Sequence, residues 1–351
     1  MRTKFIFHML LMVAVVFLAS CVKEGPAGLA GLDGTNGTDG ADGADGQDGS
    51  VTCMACHTGT TIAARQFEYA ISGHNAAVYL EYTSSAPYFA SCAECHNGTG
   101  FIAKQTQGAE YEAMLLIDPD KINCTACHPL HSTFTYNDFG FRVTDAVDMV
   151  GGSFNKDDGS NLCATCHQTR RPEPNIDVPG ETYNITSTHY GPHHGPQANL
   201  FAGVGFAEIA GSFDYPVAGS TAHTSQTSCV TCHMGDFDNQ QGGHSFSPSL
   251  ESCQACHATS SFDYSGKQTV TEEQLHELRG LLITLGVVEY VIADEAYEPV
   301  VGTHPMVQVQ GFFNWVGIEE DRSLGVHNPK YVSALLLNSI EAMKAEVAKL
   351  P

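Results

Sequence analysis

Apolar positions are distributed unevenly along this chain of 351 residues. An apolar run from Phe5 to Leu18, interrupted only by His8, follows Arg2 and Lys4 and closes on Leu18-Ala19-Ser20-Cys21. It is shorter than the ~20 residues of a membrane span, and its charged start and small-residue end are those of a secretory signal. The pattern then changes to a glycine at every third position from Gly25 to Gly49, a collagen-like period. From Val51 onward Phe67, Tyr88, Phe89, Phe101, Phe139, Phe141 and Phe154 recur without the alternation of strands, and Gly, Ser, Thr and Asn crowd the intervals. Short helices, long irregular connections and little β-sheet are expected, a mainly α chain.

Two helices are predicted near the C-terminus. Thr271 with Gln274 reads as a capping box ahead of the stripe Leu275, Leu278, Leu282 and Leu285. Asn328 as N-cap and Pro329 at the first helical position open a second, with Leu335, Leu336, Ile340, Met343 and Val347 on one face. The organisation expected is a signal peptide over 1–20, a spacer over 21–50 and one domain over 51–351. A proline-rich seam from Arg171 to Tyr183 separates a front and a rear part that share ligands across it.

The spacer holds one proline, Pro26, and repeats Asp33, Asp39, Asp42, Asp45 and Asp48 with no nearby lysine. Neighbouring strands of a triple helix would repel, so an extended tether is the expectation. At ~3.1 Å per residue it would reach on the order of 75 Å.

The cysteines supply the chemistry. Thirteen are present, and twelve fall in six copies of Cys-x-x-Cys-His: Cys53/Cys56/His57, Cys92/Cys95/His96, Cys124/Cys127/His128, Cys163/Cys166/His167, Cys229/Cys232/His233 and Cys253/Cys256/His257. In this motif two thiols attach a haem covalently and the histidine takes one axial position on its iron. Zinc knuckles and redox dithiols use Cys pairs without requiring the following histidine, so six complete copies predict six c-type haems. The thirteenth cysteine, Cys21, stands where bacterial lipoproteins are cleaved and lipidated. A lipid anchor, an exported protein of the cell envelope, and an outer-membrane position facing the periplasm or the outside are expected; Val22 is not the Asp that retains such proteins at the inner membrane.

Ten histidines remain besides His8 and those of the motifs: His74, His131, His189, His193, His194, His223, His244, His276, His304 and His327. A second axial ligand decides whether an iron carries electrons or binds substrate. His131 lies three residues after His128, too close to reach round to the far face of the same haem, so a neighbouring haem is its expected target. His223 just before Cys229 invites similar cross-ligation, and His74, His244 and His327 sit in short glycine-flanked or capped settings. The sixth ligand is expected from His189-Tyr-Gly-Pro-His193-His194, with His193 preferred. His276 and His304 read as ordinary histidines.

His193-His194-Gly195-Pro196-Gln197, His223 before Cys229-Val-Thr-Cys232-His233-Met234, Gly243-His244 and Gly325-Val326-His327-Asn328-Pro329 together resemble the multihaem cytochromes related to ammonia-forming nitrite reductase and hydroxylamine oxidoreductase. The resemblance covers roughly 188–343. It implies bis-histidine haems in close pairs, with His131, His223, His244 and His327 at distal positions. The Cys-x-x-Cys-Lys haem of those nitrite reductases is missing from the sequence, which favours an electron carrier. A reductase of nitrite, hydroxylamine or another oxyanion at one open haem is the alternative, with Arg142, Arg170 or Arg171 as cations. A subunit of a cytochrome filament or other homo-oligomer is the third reading.

The formal charge of -23 excludes nucleic acid as a partner and favours basic redox proteins or cationic extracellular acceptors, with association weakened by salt.

Overall fold

The computed structural model describes residues 53–54, 57–78, 80, 83, 87–112, 116, 118–174 and 181–351. The signal peptide, Cys21, the Gly-x-y spacer, Cys56 and the middle of the proline-rich seam lie outside the described residues, as do the side chains of Tyr88 and Phe89. Residues 49–351 form one compact unit. It is mainly α with irregular connections, the class expected.

Among the described residues five helices have ten residues or more: α1 (Thr61–Ala70), α2 (Gly98–Gln107), α3 (Lys267–Thr284), α4 (Met306–Asp321) and α5 (Pro329–Val347). The strands among the described residues form three antiparallel two-stranded ribbons. These are β1 (Val147–Met149) with β2 (Gly152–Phe154), β3 (Thr182–Ile185) with β6 (Gly302–Pro305), and β4 (Val288–Val291) with β5 (Ala296–Pro299). The β3–β6 pair ties the residues after the proline-rich stretch to the entry of α4. Among the described residues no helix is long and apolar enough to cross a membrane.

Helix α5 starts as its sequence demands: the Asn328 side chain accepts from Tyr331 N at 3.3 Å, with Pro329 at the first turn. Helix α3 corrects the capping-box expectation, because it begins at Lys267. The reason lies upstream. Asp263 accepts from Gln268 N at 2.8 Å and from Thr269 Oγ1 at 2.7 Å, satisfying the first turn before Thr271 is reached. Thr271 is inside the helix and donates back to Lys267 O.

Helix α4 has no counterpart in the sequence reading. Its buried residues include Gln308, Val309, Phe312, Phe313, Asn314, Trp315 and Ile318, so it is enclosed on most sides and shows no one-sided stripe to read. With Leu275, Leu278 and Leu282 of α3 and Tyr331, Leu335, Leu336 and Met343 of α5, it forms the main side-chain core. Two buried asparagines fasten the irregular segment after Gly203 to this core. Asn314 accepts from Ala207 N and donates to Ala207 O, and Asn338 does the same with Phe213. Each amide pairs with a backbone N–H and C=O as a strand neighbour would, which lets a loop run over the core with its polar groups satisfied.

The front of the chain is built differently. Between 53 and 140 the buried apolar side chains among the described residues are Ala90, Ala93, Phe101 and Ala126. One phenylalanine and three alanines cannot offset the ordering of that much chain. Phe313→Ala, which hollows a fully buried site, is expected to lower stability by ~3–5 kcal/mol, measured as a shift of the denaturant midpoint followed by far-ultraviolet circular dichroism.

Candidate functional site: six opposed histidine pairs

Among the described residues five of the motifs fall on or next to a short helical turn, which sets the two thiols of Cys-x-x-Cys on one side. Side-chain caps start three of those turns. Asn123 Oδ1 accepts from Thr125 N, Ser228 Oγ from Thr231 N and Ser249 Oγ from Ser252 N, at 3.0, 3.1 and 3.2 Å. No disulfide joins the described cysteines. Among the described residues no three His, Cys, Asp or Glu side chains converge as a zinc site would require.

Every motif histidine instead faces one histidine from elsewhere in the chain. The ring centroids of His57 and His131 are 6.2 Å apart, those of His74 and His167 6.2 Å, and those of His96 and His193 6.0 Å. His128 and His244 are separated by 6.4 Å, His223 and His257 by 6.0 Å, and His233 and His327 by 6.3 Å. An imidazole nitrogen binds a metal at ~2.0 Å and lies about 1.1 Å from its ring centre, so two imidazoles on opposite faces of one iron place their centroids roughly 6.3 Å apart. All six separations meet that requirement. The interplanar angles run from 17° to 82°, as rotation about a shared axis permits.

His131, His193 and His244 are held by unusual backbone. His131 and His193 adopt positive φ, 58° and 85°, which non-glycine residues take only when their surroundings impose it. His244 follows Gly242 and Gly243, at φ 74° and 52°. A Cβ on Gly243 would lie 2.5 Å from Glu68 Oε2, so glycine is required there by both dihedral and space.

Six of the paired histidines are anchored through Nδ1. His128 Nδ1 lies 3.1 Å from Phe139 O, His223 Nδ1 2.5 Å from Val326 O, and His233 Nδ1 2.8 Å from Phe246 O. His167 Nδ1 contacts Gln197 Oε1 at 3.2 Å, His244 Nδ1 contacts Glu68 Oε2 at 3.4 Å, and His327 Nδ1 contacts Asp321 Oδ1 at 2.6 Å. An acceptor on Nδ1 favours the tautomer with Nε2 unprotonated, the arrangement that metal-binding imidazoles use. Burial pulls His74 and His193 down to about 4, aided by His167 for the former and by His194 and His96 for the latter. Burial lowers His96, His167, His233 and His244 as well. Burial also opposes charge on His327, but the Asp321 carboxylate outweighs it and the net shift is upward.

The remaining candidates behave otherwise. His194 Nδ1 bonds Glu320 at 2.7 Å, His304 Nε2 bonds Val300 O at 2.8 Å, and His189 and His276 are exposed. Sequence reasoning missed Glu68, which lies far along the chain from the histidine it holds, and Asp321 and the carbonyl of Phe246, which lie nearer their histidines but carry no distinguishing local signal. Gln197 stood in a recognised motif, but without this role.

All twelve paired histidines line one continuous cavity of about 2630 Å³, well beyond the ~300–1,000 Å³ of a small-ligand pocket. Its walls are largely apolar and carry Phe101, Phe134, Phe139, Phe141, Phe201 and Tyr264. The motif segments also touch. Cys95 Sγ lies 3.8 Å from Thr165 O, and Val230 N donates to Ser160 Oγ at 3.1 Å. The fourth motif is therefore in contact with both the second and the fifth.

No family model and no curated relative matches the chain. Its fold is similar to that of the outer cell wall cytochrome OcwA, with a TM-score of 0.51 and 17% identity over 80% of this chain and 50% of that one. The chain spans about half the length of that cytochrome. Gly243→Ala is expected to expel Glu68 from His244 and to cost ~1–3 kcal/mol through backbone strain alone, read as a lowered thermal midpoint.

Proposed function

We propose that residues 51–351 are a six-haem c-type cytochrome of the cell envelope that carries electrons to an extracytoplasmic partner. In this reading the twelve motif cysteines bind the haems, and the six histidine pairs supply both axial ligands of each iron. The observation that carries it is the pairing itself: each motif histidine faces one other histidine at 6.0–6.4 Å. A haem held in this way supplies a one-electron couple at its iron.

The residues of the chain suit passage of electrons better than chemistry on a substrate. With a histidine on each side, an iron has no open coordination position. Two of the cations that an oxyanion would need are committed elsewhere. Arg142 Nη2 donates to Thr125 O at 2.8 Å, and Arg170 Nη1 pairs with Glu94 at 2.8 Å. His131 sits in the loop after the third motif yet faces His57 of the first, and His223 precedes the fifth motif yet faces His257 of the sixth. Such cross-links hold neighbouring haems close, and close spacing favours fast transfer. The likeness to an outer cell wall cytochrome and the Leu18-Ala19-Ser20-Cys21 site support an exported, lipid-anchored carrier at the outer membrane. The net charge of -23 fits basic partners or cationic acceptors.

The purified protein is expected to contain six haems by pyridine haemochrome assay and to give only low-spin electron paramagnetic resonance signals, unchanged by cyanide, nitrite or hydroxylamine. A high-spin iron that takes up the additive would transfer the assignment to a reductase. His193→Ala is expected to turn one iron in six high-spin and cyanide-sensitive while leaving the haem count at six.

A further inference from the structure

Two of the six pairs have a carboxylate behind one of their histidines. Elsewhere the acceptor is neutral: His223 donates to a backbone carbonyl and His167 meets the amide oxygen of Gln197. His327 and His244 each meet a carboxylate, and both carboxylates are removed from water: the Asp321 side chain is 0% exposed and that of Glu68 4%. Burying a carboxylate is costly unless it is paired, and each of these is built into place. Asp321 ends α4, accepts from Ser323 Oγ with Oδ2, and reaches His327 with Oδ1. Glu68 projects from α1, accepts from Arg65 Nη1 at 2.7 Å and from His244 N at 2.9 Å, and reaches the ring at 3.4 Å.

We propose that Asp321 and Glu68 set potentials: each draws on the Nδ1 proton of its histidine and lowers the reduction potential of the iron held by that histidine. The inference rests on the haem-ligand reading above. The physical basis is direct. A carboxylate partner makes an imidazole a stronger donor, which favours the oxidised, more positive iron. Its charge acts through a poorly screened interior in the same direction. Reduction adds one electron to that iron and is opposed by both effects. Asp321 has the shorter contact, whereas the charge of Glu68 is partly neutralised by Arg65, so Asp321 has the larger influence.

The test is a spectroelectrochemical titration of the full haem-loaded chain, resolved into one-electron couples and followed by electron paramagnetic resonance. Asp321→Asn, which retains an acceptor and removes the charge, is expected to favour reduction of one iron about tenfold, ~59 mV for one electron, with the other five unmoved. Glu68→Gln shifts a different couple in the same direction and by less. Gln197→Glu places a carboxylate on His167 and is expected to shift a third couple the opposite way, a change of sign that a purely structural role would not produce. Unchanged couples in all three variants, with six low-spin signals intact, would overturn the inference and leave the cytochrome reading standing. A shift accompanied by a high-spin iron would make the carboxylate a mere clamp and also overturn it. Fewer than six haems or a high-spin iron in the unsubstituted protein would instead defeat the underlying reading.

Discussion

Under the proposed ligation, two imidazoles that share an iron must face each other across a fixed gap, and that demand would order this molecule more than any helix or sheet. Six opposed pairs satisfy it. Their partners are interleaved along the sequence: His57 reaches past the second and third motifs to His131, His74 meets His167, and His96 meets His193. His128 extends to His244 and His233 to His327. Each pair closes a long loop that contains parts of other loops. Loop closure costs entropy that grows only slowly with length, so the strength of the link, more than its span, decides whether such a weave holds. Under the proposed ligation each closure is made by a metal bond and two thioethers.

This explains the unequal division of apolar side chains. The rear of the chain has a conventional core in which α3, α4 and α5 bury Leu278, Phe312, Phe313 and Leu335 completely. Residues 53–140 have almost none among those described, although they hold three of the six motifs. They rely on directed hydrogen bonds: Tyr69 OH reaches Ile122 O at 2.5 Å, and Asn97 Oδ1 takes Gly100 N at 2.6 Å while its amide donates to Thr83. These fix the backbone around the motifs, and under the proposed reading the haems would provide the apolar surface that such a segment needs.

How much of this was legible in the sequence followed from the range of each signal. The attachment motifs are contiguous and could be read in full. The six facing histidines were selected from local cues, chiefly flanking glycine, proline or a helix cap, and their assignment as ligands is part of the proposal. Helix α5 was readable because Asn328 and Pro329 mark its start locally. The start of α3 was misplaced because Asp263, outside the apparent capping box, supplies the cap. Helix α4 was hidden because burial on most sides erases the periodic contrast that reveals a helix. Glu68 and Asp321 could not be found at all: Glu68 acts on a residue far along the chain, and Asp321 is one acid among 39 acidic side chains.

Phe246 shows how such long-range contacts join separate pairs into one system. It has positive φ, 57°, a strained choice for an aromatic residue, and the strain aims its ring and its carbonyl in useful directions. The ring lies 4.8 Å from that of His74 and 5.9 Å from that of His244. The carbonyl accepts from His233 Nδ1 at 2.8 Å. One residue therefore contacts the His74/His167, His128/His244 and His233/His327 axes together. Two of these three axes are the ones backed by carboxylates, so Phe246 links the third to sites whose electrostatics differ from its own. Because Gly243 also closes on Glu68, any displacement of this turn is felt by all three pairs. The short segment from Gly242 to Phe246 therefore governs the relative placement of half the pairs.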